Sequence, residues 1–217
     1  MTNTLLLLLS TSAISIIGFY SPELNTKMLF KPARIKNNKE WYRFFSSGFI
    51  HANLEHLLFN MISLFLFGTI VEEAFLSENY FSGNGTTLFF ALYLSALPLS
   101  LLYSYFRYNT KTNYASLGAS GAVSAIIFTA ILINPTMKIG LFLIPPIIPG
   151  YFFGPFFLLL SAWLGKKGKD NINHAAHISG ALYGWVFTLI ALYAQHHSFE
   201  TLNIFLSLLS KELGLHG

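Results

Sequence analysis

Long apolar runs, separated by shorter polar segments, dominate the chain. They cover roughly residues 4–20, 53–71, 86–106, 118–134, 149–164 and 174–194. Each run approaches the roughly 20 apolar residues that a transmembrane helix needs. The pattern therefore predicts an all-α, polytopic membrane protein in which six transmembrane helices form one bundle over residues 1–198.

The first run, from Leu5 to Tyr20, has two interpretations. An apolar stretch of this length is either a transmembrane helix or a leader that is cleaved. No Lys or Arg precedes the run, and no small-residue cleavage pattern follows it. We therefore interpret it as the first transmembrane helix.

The connecting segments carry weaker signals. The polar stretch from Ser21 to Phe49 is long, and loops of this length are usually structured and functional. The stretch from Lys138 to Gly150 contains three prolines and is predicted to be an irregular loop. We expect Glu72 and Glu73 to close the second span and Gly165 to Asp170 to form a basic turn.

Residues 199–217 form a short tail after the sixth run. Apolar residues recur there at helical spacing, at Leu202, Phe205, Leu206, Leu209 and Leu213. The spacing is typical of an amphipathic helix on a membrane surface. A frayed chain end explains the tail equally well.

The composition agrees with a membrane protein. Apolar residues make up 53% of the chain, charged residues only 10%, and the mean hydropathy is +0.55, which excludes a water-soluble domain. The absence of cysteine excludes disulfides and thiolate metal sites. The net charge of +4 is spread over the loops, so we predict the lipid bilayer, and no nucleic acid, as a partner.

Four polar residues stand out inside the predicted spans, where ionisable and hydrogen-bonding residues are costly and are functional candidates. They are His56 and Asn60 in the second span, Ser120 in the fourth and His177 in the sixth. At 1.5 Å per residue, Ser120 lies about 21 Å of helix before Asn134, and Asn60 lies about 17 Å before Val71. We take Asn134 and Glu72 to mark the same, far membrane interface. We therefore expect Ser120 and Asn60 at a similar depth, roughly 10 Å below one membrane surface.

Helix faces predict that these residues converge. His56 and Asn60 are four residues apart and share a face, whereas His51 is predicted to point away. Small residues form one stripe beside Ser120, at Gly121, Ala125 and Thr129, and another beside His177, at Ala176, Gly180 and Gly184. Packing the two stripes together would bring the hydroxyl and the imidazole within hydrogen-bond reach.

The residue types indicate a serine hydrolase. Ser120 is the candidate nucleophile and His177 its base, while His56, Asn60 and the backbone N–H of Ser120 are candidate oxyanion donors. Gly118 is assigned to the same oxyanion or substrate-binding set. Because no carboxylate lies deep in the fourth or sixth span, we predict a Ser-His dyad, with no metal and no cofactor.

Other interpretations remain open for each residue. A serine in a membrane helix commonly bonds its own backbone, and histidine or asparagine often joins two helices. A metal-dependent hydrolase would use His51, His56, His174 and His177, although these do not form a complete ligand set. A small transporter is a further alternative, but the chain shows no internal repeat.

At these residues the sequence resembles the rhomboid family of intramembrane serine proteases. The stretch from His51 through His56 to Asn60 is similar to the family's H-x-x-x-x-H-x-x-x-N signature. Gly118 to Gly121 resembles G-x-S-G, and Ala176 to Gly184 resembles A-H-x-x-G-x-x-x-G. Tyr42-Arg43 resembles the aromatic-arginine pair of the family's first loop.

The resemblance implies a six-helix bundle that cleaves transmembrane protein substrates, with Ser120, His177, His56 and Asn60 in the roles given above. It also implies that the fifth helix and its cap loop gate substrate entry. An inactive relative that binds membrane clients is the alternative. Many family members carry an aromatic residue one turn after the serine, stacked on the histidine, and Ser124 occupies that position here.

Orientation is predicted differently by two rules. The loops after the first, third and fifth spans carry most of the Lys and Arg residues, which the positive-inside rule places in the cytoplasm. The resemblance implies a bacterial inner membrane with the active site open to the non-cytoplasmic side. We follow the resemblance, because the long first loop contributes most of the excess charge.

Overall fold

A computed structural model describes residues 2–81, 83–141, 144–167 and 172–214. The helices are α1 (Asn3–Tyr20), α2 (Pro22–Met28), α3 (Pro32–Asn38), α4 (Arg43–Ser46), α5 (Leu54–Leu76), α6 (Gly85–Ser100), α7 (Leu102–Tyr108), α8 (Ser120–Ile133), α9 (Gly150–Lys167), α10 (His174–His196) and α11 (Glu200–Glu212). A short 3₁₀ helix covers Ser47–Phe49, and two strands, β1 (Lys138–Leu141) and β2 (Ile144–Pro149), precede α9.

All six predicted apolar helices are present, which confirms the helical membrane bundle. Within the described ranges, four stretches are long and apolar enough to cross a membrane: Asn3–Tyr20, Leu54–Leu76, Gly85–Tyr108 and His174–His196. The helix α8 is apolar but shorter, and α9 has the length but ends in two lysines. The third span is divided into α6 and α7 at Leu101, shortly after Pro98.

The helix α8 lies at the centre of the bundle. Every residue from Gly121 to Leu132 is buried, and α5, α6, α9, α10 and α11 all pack against it. Burial on all sides explains why α8 is apolar around its whole circumference rather than along one stripe. A central helix of this kind holds its first residue, Ser120, at a fixed place in the fold.

The second span continues further than the sequence predicted. The helix α5 ends at Leu76, so Glu72 and Glu73 do not close it. Glu72 is 4% exposed and accepts hydrogen bonds from the backbone N–H groups of Asn3 and Thr4, at 2.7 and 2.8 Å, and from the Thr4 hydroxyl at 2.6 Å. The carboxylate thus accepts hydrogen bonds from backbone N–H groups that have no partner within α1. A pattern of apolar runs does not reveal such a role for a glutamate.

The first loop is structured, as its length indicated. Arg43, only 1% exposed, donates to the backbone carbonyls of Thr26, Lys27 and Leu29 and to the carboxylate of Glu40. These bonds tie the start of α4 to the end of α2 and to the segment before α4 around one buried guanidinium. The hydrogen bond from Arg43 also lowers the pKa of Glu40.

The segment before α9 is not the irregular loop that its prolines suggested. The strands β1 and β2 pair antiparallel, with Lys138 opposite Pro149 and Ile139 opposite Ile148. A two-stranded pair has only edges, where a residue without a backbone N–H is tolerated. The predicted basic turn does not begin at Gly165, because α9 continues to Lys167. Residues 168–170, which complete the predicted turn and include Asp170, lie outside the described residues.

The tail forms the helix α11, which packs back on the bundle through the Phe205 side chain. Phe205 is buried, and its ring meets that of Trp185 edge-on with centroids 5.2 Å apart. A helix therefore replaces the frayed end that the sequence left open. Its place on a membrane surface, and the division of the chain at residue 198, stay predictions.

Candidate active site

The segment that leads into α8 is held from several sides. Phe30 and Ser116 form an antiparallel bridge through two backbone hydrogen bonds of 3.0 Å. The N–H of Gly118 donates to the carbonyl of Ser47 at 2.9 Å. The N–H of Ala119 donates to Nε2 of His51 at 3.3 Å. The first loop therefore fixes the residues immediately before Ser120.

Ser120 is the first residue of α8 and is partly exposed. The first backbone N–H groups of a helix have no partner within the helix, and the helix dipole makes this end positive. Negative charge that develops beside Ser120 would be stabilised by both effects. The sequence placed Ser120 at the head of its helix, and the structure agrees.

Gly118 and His56 are in close contact. Gly118 has φ of +113°, and a Cβ at this position would lie 2.7 Å from Cε1 of His56. A side chain is therefore excluded both by the backbone conformation and by the imidazole. The contact brings His56 of α5 to the segment that carries Ser120.

His51 lies beside His56, which corrects the prediction that it points away. That prediction assumed one helix running through both residues, but α5 begins at Leu54, where the Asn53 side chain caps it. The rings of His51 and His56 meet edge-on with centroids 5.0 Å apart. His51 is fully buried, and burial, followed by the charge of His56, lowers the pKa of His51 to about 3.

Asn60 lies one turn after His56 in α5, on the face that the four-residue spacing predicted. It is 2% exposed, and its amide Nδ2 donates to the backbone carbonyl of His56 at 2.9 Å. The amide group has two N–H groups, and the carbonyl of His56 uses one of them. Asn60 therefore stands on the inner face of the bundle next to the candidate oxyanion residues.

The two small-residue stripes pack together, as predicted. A Cβ on Gly180 would lie 2.0 Å from the carbonyl oxygen of Gly121, and one on Gly184 would lie 2.2 Å from that of Ala125. Contact this close requires glycine on α10. Gly121 follows Ser120 directly and Gly180 lies one turn after His177, so the packing brings the starts of α8 and α10 together.

Asn173, which was not among the residues predicted from the sequence, links α10 to the segment before Ser120. Its Oδ1 caps α10 by accepting from the N–H of Ala176 at 3.2 Å and also accepts from the Ser104 hydroxyl at 3.0 Å. Its Nδ2 donates to the Ser116 hydroxyl at 3.4 Å. The N-cap pattern before a helical run was the available signal.

Histidine rings and a phenylalanine meet at the start of α10. The centroids of His174 and His177 are 5.7 Å apart, and the ring of Phe157 on α9 stacks on His177. Among the described residues, no group of three or more His, Cys, Asp or Glu side chains could hold a metal ion. The arrangement places an aromatic support on the ring proposed as the base.

The fold and the site define a polytopic helical membrane protein with a serine and a histidine near the starts of two packed helices. Residues 38–194 match the family described as Rhomboid domain. The chain belongs to the rhomboid family, and it is an integral membrane protein of that type.

The relatives come from organelles and from bacteria. The chain is 32% identical over 145 residues to RHOMBOID-like protein 12, mitochondrial, of Arabidopsis thaliana, covering 63% of this chain and 42% of the relative. It is 30% identical over 158 residues to Rhomboid-like protein 11, chloroplastic, of the same plant, covering 69% and 52%. It is 25% identical over 173 residues to Rhomboid protease GlpG of Haemophilus influenzae, covering 80% and 81%. The chain thus spans about half the length, or less, of the two plant relatives.

Proposed function

We propose that this protein is an intramembrane serine endopeptidase that hydrolyses peptide bonds in or near the transmembrane segments of other membrane proteins. One observation carries the proposal: the glycines beside Ser120 and His177 bring the starts of α8 and α10 into direct contact. The contact of His56 with Gly118 brings a second histidine to the segment that leads into Ser120. The name of the bacterial relative, a rhomboid protease, supports the same reaction class.

In the proposed reaction, the Ser120 hydroxyl attacks the carbonyl carbon of the scissile peptide bond while His177 accepts its proton. The tetrahedral intermediate collapses, the bond to the amine breaks, and His177 returns the proton to the leaving nitrogen. Water, with His177 again as base, then hydrolyses the acyl-enzyme. A local break in the substrate helix is required, because helical backbone shields its carbonyls.

The oxyanion is stabilised by groups around the start of α8. The backbone N–H of Ser120, the imidazole of His56 and the amide of Asn60 are the proposed donors. Gly118 leaves the room that the His56 ring occupies. Loss of one oxyanion donor typically lowers kcat by about 10²–10³-fold.

The test uses the full chain purified in detergent, a fluorophosphonate probe and a synthetic transmembrane substrate. We expect labelling and cleavage that persist in EDTA and fall at least 10³-fold in Ser120→Ala and His177→Ala. The matched control is Ser124→Ala, which removes a hydroxyl one turn along the same helix.

Other outcomes would assign a different function. Cleavage that disappears with EDTA and survives Ser120→Ala would establish a metal-dependent hydrolase. Stable capture of transmembrane clients without cleavage, unchanged in Ser120→Ala, would establish the inactive client-binding protein.

We place the protein in a bacterial inner membrane, with the site open to the non-cytoplasmic side. One bacterial relative matches over 80% of this chain and 81% of its own length, although the two plant relatives are organellar. Lys36 and Asn84 are both exposed and lie in the first and second connections, so single cysteines there report on opposite sides. An impermeant thiol reagent should label Lys36→Cys in intact cells, and labelling of Asn84→Cys instead would reverse the orientation.

A further inference from the structure

The ring of His177 is stacked on a phenylalanine from a different helix. The centroids of Phe157 and His177 are 5.9 Å apart and the ring planes differ by 29°, which is an offset-stacked arrangement. Phe157 lies on α9, whereas the candidate nucleophile lies on α8. The contact therefore joins α9 to the residue proposed as the base.

Phe157 is itself held in place by neighbouring rings. The ring of Phe153, one turn earlier on α9, stacks on Phe157 with centroids 5.9 Å apart and planes 26° apart. Phe128 of α8 also contacts Phe157, with centroids 5.9 Å apart and ring planes tilted by 54°. Phe153 and Phe128 are 7% and 4% exposed. The ring that touches His177 thus belongs to a packed aromatic cluster rather than to a mobile surface side chain.

The helix that carries Ser120 offers no ring at the corresponding place. Ser124 lies one turn after Ser120, so it shares the face of α8 that begins at the nucleophile. Ser124 is 3% exposed and carries only a hydroxymethyl group. An aromatic support for His177 at this site is therefore supplied by α9.

A stacked ring has two effects on a histidine base. It limits rotation of the imidazole about its side-chain bonds, so the nitrogen that faces the serine stays in place. It also presents the negative face of an aromatic ring to the imidazolium that forms when the base accepts a proton. Both effects act on the chemical step and leave binding of the substrate unchanged.

We propose that Phe157 is the positioning residue for His177 in the reaction of Ser120, and this inference rests on the proposed function. The aromatic ring, rather than the volume of the side chain, is the property that matters. Tyrosine at position 157 should therefore serve, while leucine or methionine of similar size should not.

The experiment measures kcat and KM on a transmembrane substrate in detergent, together with the unfolding temperature. For Phe157→Leu we expect kcat to fall about tenfold with KM within twofold of the parent. Phe157→Met should behave in the same way, which keeps the test informative if the leucine variant folds poorly. Phe157→Tyr should keep kcat within threefold of the parent.

Two control variants on α9 separate stacking from packing. Phe156→Leu removes an exposed ring next to Phe157, and Phe152→Leu removes the exposed ring that stacks on Phe156. Both should retain most of kcat. Equal losses in Phe156→Leu and Phe157→Leu would show that packing of α9 is responsible and would overturn the inference.

The inference and the proposed function fail in distinguishable ways. Full activity of Phe157→Leu and Phe157→Met, with Ser120→Ala inactive, rejects the role of Phe157 and leaves the serine protease intact. Cleavage that survives Ser120→Ala rejects both.

Discussion

A neutral histidine joins α1 to the residue before the nucleophile. Because the N–H of Ala119 donates to Nε2 of His51, that nitrogen carries no hydrogen and Nδ1 carries it instead. Nδ1 lies 2.8 Å from the Ser15 hydroxyl, which in turn donates to the carbonyl of Phe49 at 2.9 Å. A proton on Nε2 would oppose the N–H of Ala119, so the whole chain of bonds requires His51 to be neutral.

This requirement predicts a dependence of stability on pH. The unfolded His51 titrates near 6.5, whereas burial lowers the pKa of the folded residue to about 3. Between these values the unfolded state binds the extra proton, so stability falls as pH decreases, by about 1.4 kcal/mol per pH unit from this residue. Unfolding temperatures in detergent at pH 7.5 and pH 5 measure the loss.

The matched variant is His51→Gln, whose Oε1 can still accept from Ala119 but does not titrate. Its decrease in unfolding temperature between pH 7.5 and pH 5 should be smaller than that of the parent. The exposed His197→Gln is the control and should show the decrease of the parent. An identical decrease in His51→Gln would contradict the assignment.

Single residues were predictable where spacing alone determined a face. The four-residue spacing placed His56 and Asn60 on one face of α5, and the structure agrees, with Asn60 one turn from His56 and bonded to its carbonyl. The same rule misplaced His51, because it requires knowing where the helix begins. Phe157 could not be identified, since its contact with His177 joins two helices that no local pattern relates.

At the scale of secondary structure elements, the contact between α8 and α10 depends on glycine. The carbonyl oxygens of Gly121 and Ala125 occupy the space where side chains on Gly180 and Gly184 would stand. Thr129 and Thr188 extend the contact with a hydroxyl pair 3.0 Å apart. The backbones therefore meet along a line that starts beside the candidate site.

Gly180→Ala tests this contact. The added methyl group would lie 2.0 Å from a backbone oxygen, so the two helices must separate. We expect a loss of about 1–3 kcal/mol in the free energy of unfolding and a large loss of cleavage, because the starts of both helices move. Measurements of unfolding in detergent and of substrate cleavage report the two effects.

Gly154→Ala is the matched control on α9. Its Cβ would meet no atom closer than 3.6 Å, and alanine favours a helix over glycine by about 1 kcal/mol. This variant should be as stable as the parent or more so. If Gly180→Ala were equally stable and active, close packing at that glycine would not be needed.

Elements were predictable from the sequence where they are apolar and long. The six helices follow from the apolar runs, because a segment inside a bilayer must make its backbone hydrogen bonds within itself, as a helix does. The pairing of β1 with β2 was missed because the prolines lie in a two-stranded pair, where edges tolerate them. The end of α5 was misjudged because Glu72 was assumed to mark the membrane interface, whereas it is buried.

At the scale of the whole molecule, polar contacts join the first helix and the first loop to the rest of the bundle. The first loop bridges to Ser116 through Phe30, and α1 reaches His51 through Ser15. At its other end α1 is held by Glu72 of α5. Both halves of α1 are therefore bonded to α5 or to the segment just before it. The contact at Glu72 lies about 18 Å further along α5 than Asn60, at 1.5 Å per residue.

Glu72 separates stability of the bundle from the chemistry of the site. In Glu72→Gln one acceptor oxygen becomes an amide nitrogen, which faces N–H groups at the start of α1 and leaves a buried donor unpaired. We expect a loss of about 1–3 kcal/mol in the free energy of unfolding. Glu73→Gln is the control, because Glu73 is the next residue and is exposed, and it should unfold like the parent.

Since the folded fraction of Glu72→Gln keeps Ser120 and His177 in place, its kcat below the unfolding temperature should stay within about threefold of the parent. A large loss of kcat without a loss of stability would mean instead that α1 takes part in the reaction.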